Sequence, residues 1–439
     1  MPKENLRRYF QFFLVLLAAG AIYPVIYLRT NYQETILEVF NLPLTSLNDF
    51  YSVLGTAYII GYLPSGYLAD KFSAKWLIST SLAGVALCGF WFGTVPSEGS
   101  VKIVFFLWGF FSVFTFWSSH MKLVKMLAKP EEVGRFFGVL DGGRGVVEAL
   151  MGTIGLAAFA WILGNSIEIA DKREALVAVI NIFSVIVLAA AVLIAFFVES
   201  DEQLKEHAVA SGQHSDDDKF RLADCGKLLT NKYVYLMGAI IFMGYTVFWT
   251  VYYLGGFLQT NVGMDAVSVA TVTAIVLWMR PIGGFIGGFM ADRIGRAYTN
   301  AVAITGAVSL LVILVMMPTS LSATLFSALI ILLGAFLYAV RGTYWSLLGQ
   351  SQIEAVMMGT AIGLISLIGY LPDIILPQLN SYLWTTYGDQ GGYTAYFLVS
   401  AALGVIGILL AIIYERLNKV DAKLATAAAK APSGVVVQG

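Results

Sequence analysis

Three arginines and three carboxylates stand in stretches of this chain that are otherwise apolar, and these are the residues able to do chemistry. Arg144 has Asp141 three positions before it and Glu148 four positions after it. That spacing puts all three on one face of a helix. Arg280 is followed by Pro281 and then by Gly283, Gly284, Gly287 and Gly288. Asp373 lies between Pro372 and Pro377, a pattern that predicts a broken helix beside an acid. Arg29 follows Tyr27 near the start. The planar fork of arginine suits carboxylate and phosphate alike. A carboxylate held away from water gains or loses a proton as its surroundings change. The chemistry on offer is therefore reversible anion binding by Arg29, Arg144 and Arg280, and proton exchange by Asp373, Glu148 and Asp141. Tyr23, Tyr27, Tyr245 and Trp249 accompany them, with apolar bodies and polar tips apt for a small organic solute. Asp373 has a second reading, as the counter-ion of Arg280.

Bond-making chemistry finds no support. There is no P-loop, and His120 stands without a serine–aspartate set or a metal-spaced cluster around it. His207 and His214, near Asp216–Asp218, read as a solvated loop rather than a metal site. No enzyme, cofactor or metal is expected.

The elements that must position these groups follow from composition. Hydrophobic residues make up 58% of the 439 positions and charged residues 13%, against roughly 45–50% and roughly 25% in soluble proteins. Too few polar residues exist to cover water-facing domains. A net charge of −1 argues against nucleic acid as a partner. Two cysteines, Cys88 and Cys225, exclude a disulfide scaffold. The chain reads as an all-α integral membrane protein with the lipid bilayer as its solvent. Twelve segments approach the ~20 apolar residues that a crossing helix needs: near 9–30, 46–69, 76–95, 103–126, 136–163 and 176–198, then near 233–258, 266–290, 298–317, 322–346, 358–384 and 393–415. Runs such as 185–198 and 403–414 do not alternate, which rules out a β-barrel. At ~1.5 Å per residue, Arg144 lies ~12 Å in from Phe136 and Arg280 ~18 Å in from Asp292, so both are near the membrane centre.

Lys and Arg set the orientation. Lys3, Arg7, Arg8, Lys71, Lys75, Lys125, Lys129, Arg135, Arg293, Arg296, Arg416, Lys419, Lys423 and Lys430 fall on one side, and little beyond Lys102, Lys172 and Arg173 on the other. Both termini are expected in the cytoplasm of a multi-pass plasma membrane protein, of the bacterial inner-membrane kind. Residues 1–30 read as the first crossing helix rather than a cleaved signal. One prediction arises here. Single cysteines at Ser215 and Ser433, in a background lacking Cys88 and Cys225, should resist an impermeant thiol reagent on intact cells, and one at Ser97 should react. Labelling of Ser215→Cys from outside would overturn the topology.

The chain also repeats. Gly66–Lys71 reads G-Y-L-A-D-K and Gly288–Arg293 reads G-F-M-A-D-R, placing Asp292 222 positions after Asp70. The same offset takes Glu132 to Glu354. This predicts two six-helix bundles, 1–198 and 230–418, joined by a polar linker at 199–229 and followed by a disordered tail at 419–439. A pseudo-two-fold axis between such halves puts the binding site near the membrane midplane.

The paired motifs at the ends of helices 2 and 8 resemble the signature loop of the major facilitator superfamily. The resemblance covers everything but the linker and tail, and it implies a monomeric secondary transporter working by alternating access. It also implies a conformational latch made by Asp70, Lys71, Asp292, Arg293 and Arg296, with Lys122 or Lys125 and Arg341 as basic partners. Ser73 departs from the motif, where glycine is usual. The string Tyr27-Leu28-Arg29-Thr30-Asn31-Tyr32 is similar to the end of helix 1 in the organophosphate:phosphate antiporter branch, and by that resemblance Arg29 binds substrate phosphate. Arg144 falls where that branch places a binding-site histidine. Its second phosphate-binding arginine and its helix-2 lysine correspond to Phe248 and Tyr62, so the two-arginine clamp is not intact. The run Arg280–Gly284 resembles the helix-8 arginine segment of nitrate/nitrite porters. The expected function is transport of a small organic anion (carboxylate, sugar acid or organophosphate), coupled to protons. The alternatives are exchange against a counter-anion and proton-driven efflux of lipophilic drugs. A transporter-like receptor is disfavoured, because the linker and tail are too short for a signalling domain.

Overall fold

The computed structural model describes residues 3–128, 132–164, 166–210, 228–350 and 358–430. Helices account for almost all of them, and no strand occurs among the described residues. We number the crossing units as spans 1–12. In the first half, span 1 consists of Lys3–Ala21 and Arg29–Phe40, span 2 is Leu44–Lys71 and span 3 is Ala74–Gly93. Span 4 joins Glu98–Gly109 to Trp117–Leu127 through a π-helical stretch, Phe110–Thr115. Span 5 is Val133–Leu163 and span 6 is Ile169–Phe197. In the second half, span 7 joins Lys232–Trp249 to Leu254–Thr260 through a 3₁₀ turn, while spans 8, 9 and 10 are Ala266–Ile294, Arg296–Met316 and Ala323–Thr343. Spans 11 and 12 are built from Met358–Gly369 and Pro372–Lys430, the latter reversed at Gly388. Gly388 has φ +75, a conformation that costs glycine little and other residues much.

Nine helical segments among the described residues are long and apolar enough to cross a membrane. One of them, Ala361–Asp421, holds both spans 11 and 12. Spans 1 and 2 complete the twelve. Span 1 is interrupted over residues 22–28 around Pro24, which cannot donate to a helical ladder. Span 2 carries Asn48, Tyr51, Tyr58, Tyr62 and Pro64, and these lower its hydropathy.

Span 11 breaks where the two prolines predict, with a turn at Tyr370–Leu371 immediately before Pro372. Two expectations change. The linker begins with a helix, Asp201–Ala210, and the tail continues as helix to Lys430. Its alanines have the highest intrinsic helix propensity, which favours helix over the expected disorder. The linker's centre at 211–227, including His214, Ser215 and Asp216–Asp218, lies outside the described residues, as do the His207 side chain, Glu354 and the final 431–439 with Ser433.

The halves meet mainly where span 8 lies on span 5 and span 11 lies on span 2. Both contacts depend on glycine. A Cβ on Gly55 would lie 2.5 Å from the Asp373 carbonyl oxygen, and one on Gly145 would lie 2.9 Å from Arg280 Cγ. Real side chains do not approach so closely, so these glycines let backbone and long side chains cross at the height of the charged groups.

Candidate functional site

A cavity of about 100 Å³ lies between the halves. Its charged wall groups are Arg144 and Glu148 of span 5, Arg280 of span 8, Arg341 of span 10 and Asp373 of span 11. Their pairing decides what the cavity can hold. Arg280 crosses from the second half to donate to Glu148 and lies 3.6 Å from Asp141. Its charge is therefore met by carboxylates of the first half. Asp373 is 3% exposed and accepts from the Tyr245 hydroxyl at 2.8 Å and from Trp249 Nε1 at 2.9 Å, both on Oδ1. It does not pair with Arg280.

Arg144 and Arg341 differ. The Arg144 guanidinium lies 5.3 Å from the Tyr23 ring centroid, and its buried Nε has no hydrogen-bond partner. The Arg341 guanidinium lies 4.7 Å from the Phe248 ring and 5.7 Å from Tyr245. Among the described residues neither has an ion pair or a hydrogen bond. Ring faces attract a cation weakly, by about 0.5–2 kcal/mol. They do not replace a counter-ion for a charge out of bulk water, whose isolation costs several kcal/mol. Two cations, one from each half, thus face one space with no carboxylate in direct contact with either.

The first-half carboxylates do not hold Arg144, as their spacing along span 5 suggests; they hold Arg280. Tyr23, Tyr27 and Tyr245 line the cavity, whereas Trp249 acts behind the wall, through Asp373. Arg341 is the residue whose place the sequence concealed. It lies near the end of its apolar run, where a motif partner at the membrane edge is the simpler reading, yet its side chain reaches the central wall.

Arg29 is not in the cavity wall. It is fully buried on the side opposite the termini, donating to Asn48 Oδ1 at 3.1 Å and to Gln33 Oε1 at 2.6 Å, with its guanidinium 4.1 Å from the Tyr253 ring. Around it the halves are stitched together. Asn48 donates to Asn380 at 2.7 Å, Tyr253 to Asn48 at 3.1 Å and Gln33 to Tyr393 at 2.6 Å. Tyr393 donates to Glu34 at 3.0 Å, Asn31 to Thr273 at 3.0 Å and Gln378 to Asp49 at 2.9 Å. Sequence reasoning missed this seal. Its one readable sign is the placement of Gln33 four residues after Arg29. On the other side the Asp141 side chain is 63% exposed although it lies two turns inside span 5. The halves are thus joined on the far side, and an exposed acid lies on the side of the termini.

Residues 9–377 match the family model of the Major Facilitator Superfamily. The chain belongs to that superfamily. It is similar to the inner membrane protein YqcE of Escherichia coli, at 26% identity over 98% of this chain and 100% of that one. It is also similar to a probable sulfoacetate transporter of Cupriavidus necator, SauU, at 23% identity over 88% and 89% of the two chains. The fold matches a crystal structure of the nucleoside transporter NupG with a TM-score of 0.71, covering 93% of this chain and 99% of that one at 12% identity. The protein is thus a multi-pass membrane transporter for a small molecule.

The superfamily's signature loops are only partly in view. Asp70 and Asp292 end spans 2 and 8, but their side chains lie outside the described residues. Lys71 and Arg293 are exposed and lie over Tyr67 and Phe289 of their own helices, at 4.8 and 4.3 Å. Arg296 donates to the Ser346 carbonyl at 3.0 Å. Lys122 pairs with Asp201 of the linker helix at 2.6 Å and donates to the Ala69 carbonyl at 2.5 Å. Asp201 also accepts from the backbone N–H of Ala74 at 2.8 Å, the favoured place for a carboxylate at a helix N-terminus.

Proposed function

We propose that this transporter carries a small organic anion, held between Arg144 of the first half and Arg341 of the second. The observation that carries the reading is the pair of guanidiniums that share a cavity with no ion pair or hydrogen bond to either. An anion bridging them links the two bundles, so its binding energy acts on their relative position, which alternating access requires. The sulfoacetate named for SauU is such an anion and supports the reading. The same free positive charge disfavours lipophilic cations as cargo. Arg280 serves as the cross-half partner of Glu148 and Asp141 rather than as a ligand.

Protons are the proposed coupling ion and Asp373 their carrier, with Glu148 second. Asp373 shares the cavity with Arg341, has one oxygen taken by Tyr245 and Trp249, and sits at a break in span 11. The membrane is a bacterial inner membrane, with the termini facing the cytoplasm.

The test compares gradient-driven uptake with counterflow in proteoliposomes. Asp373→Asn mimics the protonated acid, so it should end accumulation driven by a proton gradient and keep counterflow. Accumulation by Asp373→Asn on a proton gradient would reduce Asp373 to a structural acceptor. Exchange by the parent with no response to protons would leave anion exchange as the mechanism.

A further inference from the structure

The cavity wall carries more unused hydrogen-bonding capacity than an anionic head alone can engage. The hydroxyls of Tyr23, Tyr62, Tyr252 and Tyr338, all lining the cavity, have no hydrogen-bond partner among the described residues. Tyr32, 4% exposed, also lines it and keeps a buried hydroxyl with no partner. Both hydrogen bonds to Asp373 fall on Oδ1, and none engages Oδ2. These groups are spread over spans 1, 2, 7, 8's neighbour span 10, and 11, so they surround the cavity instead of forming one polar pole.

From this arrangement we infer that the transported anion is a polyhydroxylated monoanion of the sugar-acid type. The inference rests on the anion reading above and narrows it. A phenol both donates and accepts, and so does an aliphatic hydroxyl; the two match whichever way their protons point. The free Oδ2 of Asp373 accepts from a further hydroxyl. An apolar acid of the same length would displace water from these phenols and leave them unpaired, and sites built to hydrogen-bond a hydroxyl reject analogues that lack it. Charge sets the valence. Asp141 stands outside the wall, its side chain 63% exposed. The wall itself carries Arg144, Arg280 and Arg341 against Glu148 and Asp373, a single net positive charge with both acids ionised. One negative charge on the ligand neutralises it.

The experiment is a thermal-shift titration of the purified full chain with four probes: gluconate, hexanoate, glucitol and glucarate. Gluconate should stabilise at concentrations at least tenfold below any effect of the other three. Hexanoate as effective as gluconate would overturn the hydroxyl inference while leaving the anion reading intact. Glucitol as effective as gluconate would overturn the anion reading itself. Tighter binding of glucarate would overturn the single charge. Absence of any shift with gluconate would overturn the sugar-acid class. The double variant Tyr252→Phe/Tyr338→Phe keeps both rings and should weaken gluconate binding by at least fivefold; unchanged affinity would remove these hydroxyls from the site.

Discussion

Arg341→Gln and Arg144→Gln should each lower anion affinity on the order of 100-fold, the scale expected when one member of a desolvated charge pair is removed. Both glutamines fill similar space, so folding and the melting temperature without ligand should change little or rise, because an unpaired cation has been taken out of the cavity. Arg29→Gln should behave differently. Arg29 lies in the far-side seal and does not line the cavity, so binding from the side of the termini should stay within a few-fold of the parent while transport falls. Calorimetric titration of the three variants separates the roles. If Arg29→Gln loses binding as fully as Arg341→Gln, then Arg29 is a substrate ligand, as the resemblance at the end of span 1 implies.

The second large effect concerns that seal. Asn48→Cys/Asn380→Cys, in a chain with Cys88→Ser and Cys225→Ser, replaces a cross-half hydrogen bond of 2.7 Å with a linkable thiol pair. Oxidation or a short bis-thiol reagent should bring transport close to zero, and reduction should restore it after a disulfide forms. Anion binding from the side of the termini should survive in the cross-linked protein. Transport that continues after cross-linking, confirmed by mass spectrometry, would show that these residues do not separate during the cycle.

Much of the fold could be read from the chain, because a lipid solvent demands long apolar runs and rewards little else. The break in span 11 followed from Pro372, and the duplication from two acids repeated at one offset. That Arg144, Arg280 and Asp373 are singular was readable for the same reason: a charge in an apolar run is conspicuous, and all three line the cavity. Their partners were not. Asp141 and Glu148 flank Arg144 at helical spacing, and nothing local signals that Arg280, 132 positions from Glu148, arrives from another bundle to take them. Arg341 was hidden by its place near a span end, since the reach of a long side chain depends on its rotamer and not on its sequence number. Arg29 fitted a motif whose other members are absent here, and the groups around it, Asn48, Asn380 and Tyr393, come from three different spans.

The cavity wall and the far side are held by different kinds of force. In the wall an ion pair joins the halves, Arg280 to Glu148. On the far side, among the described residues, the halves are joined by amides, phenols and single carboxylate acceptors, and no ion pair crosses. Dissolved salt weakens attraction between opposite charges over a Debye length of about 8 Å at physiological ionic strength and about 3 Å at 1 M, but it has little hold on a short neutral hydrogen bond. The far side should therefore shut equally well in fresh water and in brine. The Arg280–Glu148 pair is itself about nine-tenths buried, so salt should reach it only when the halves part and water enters between them.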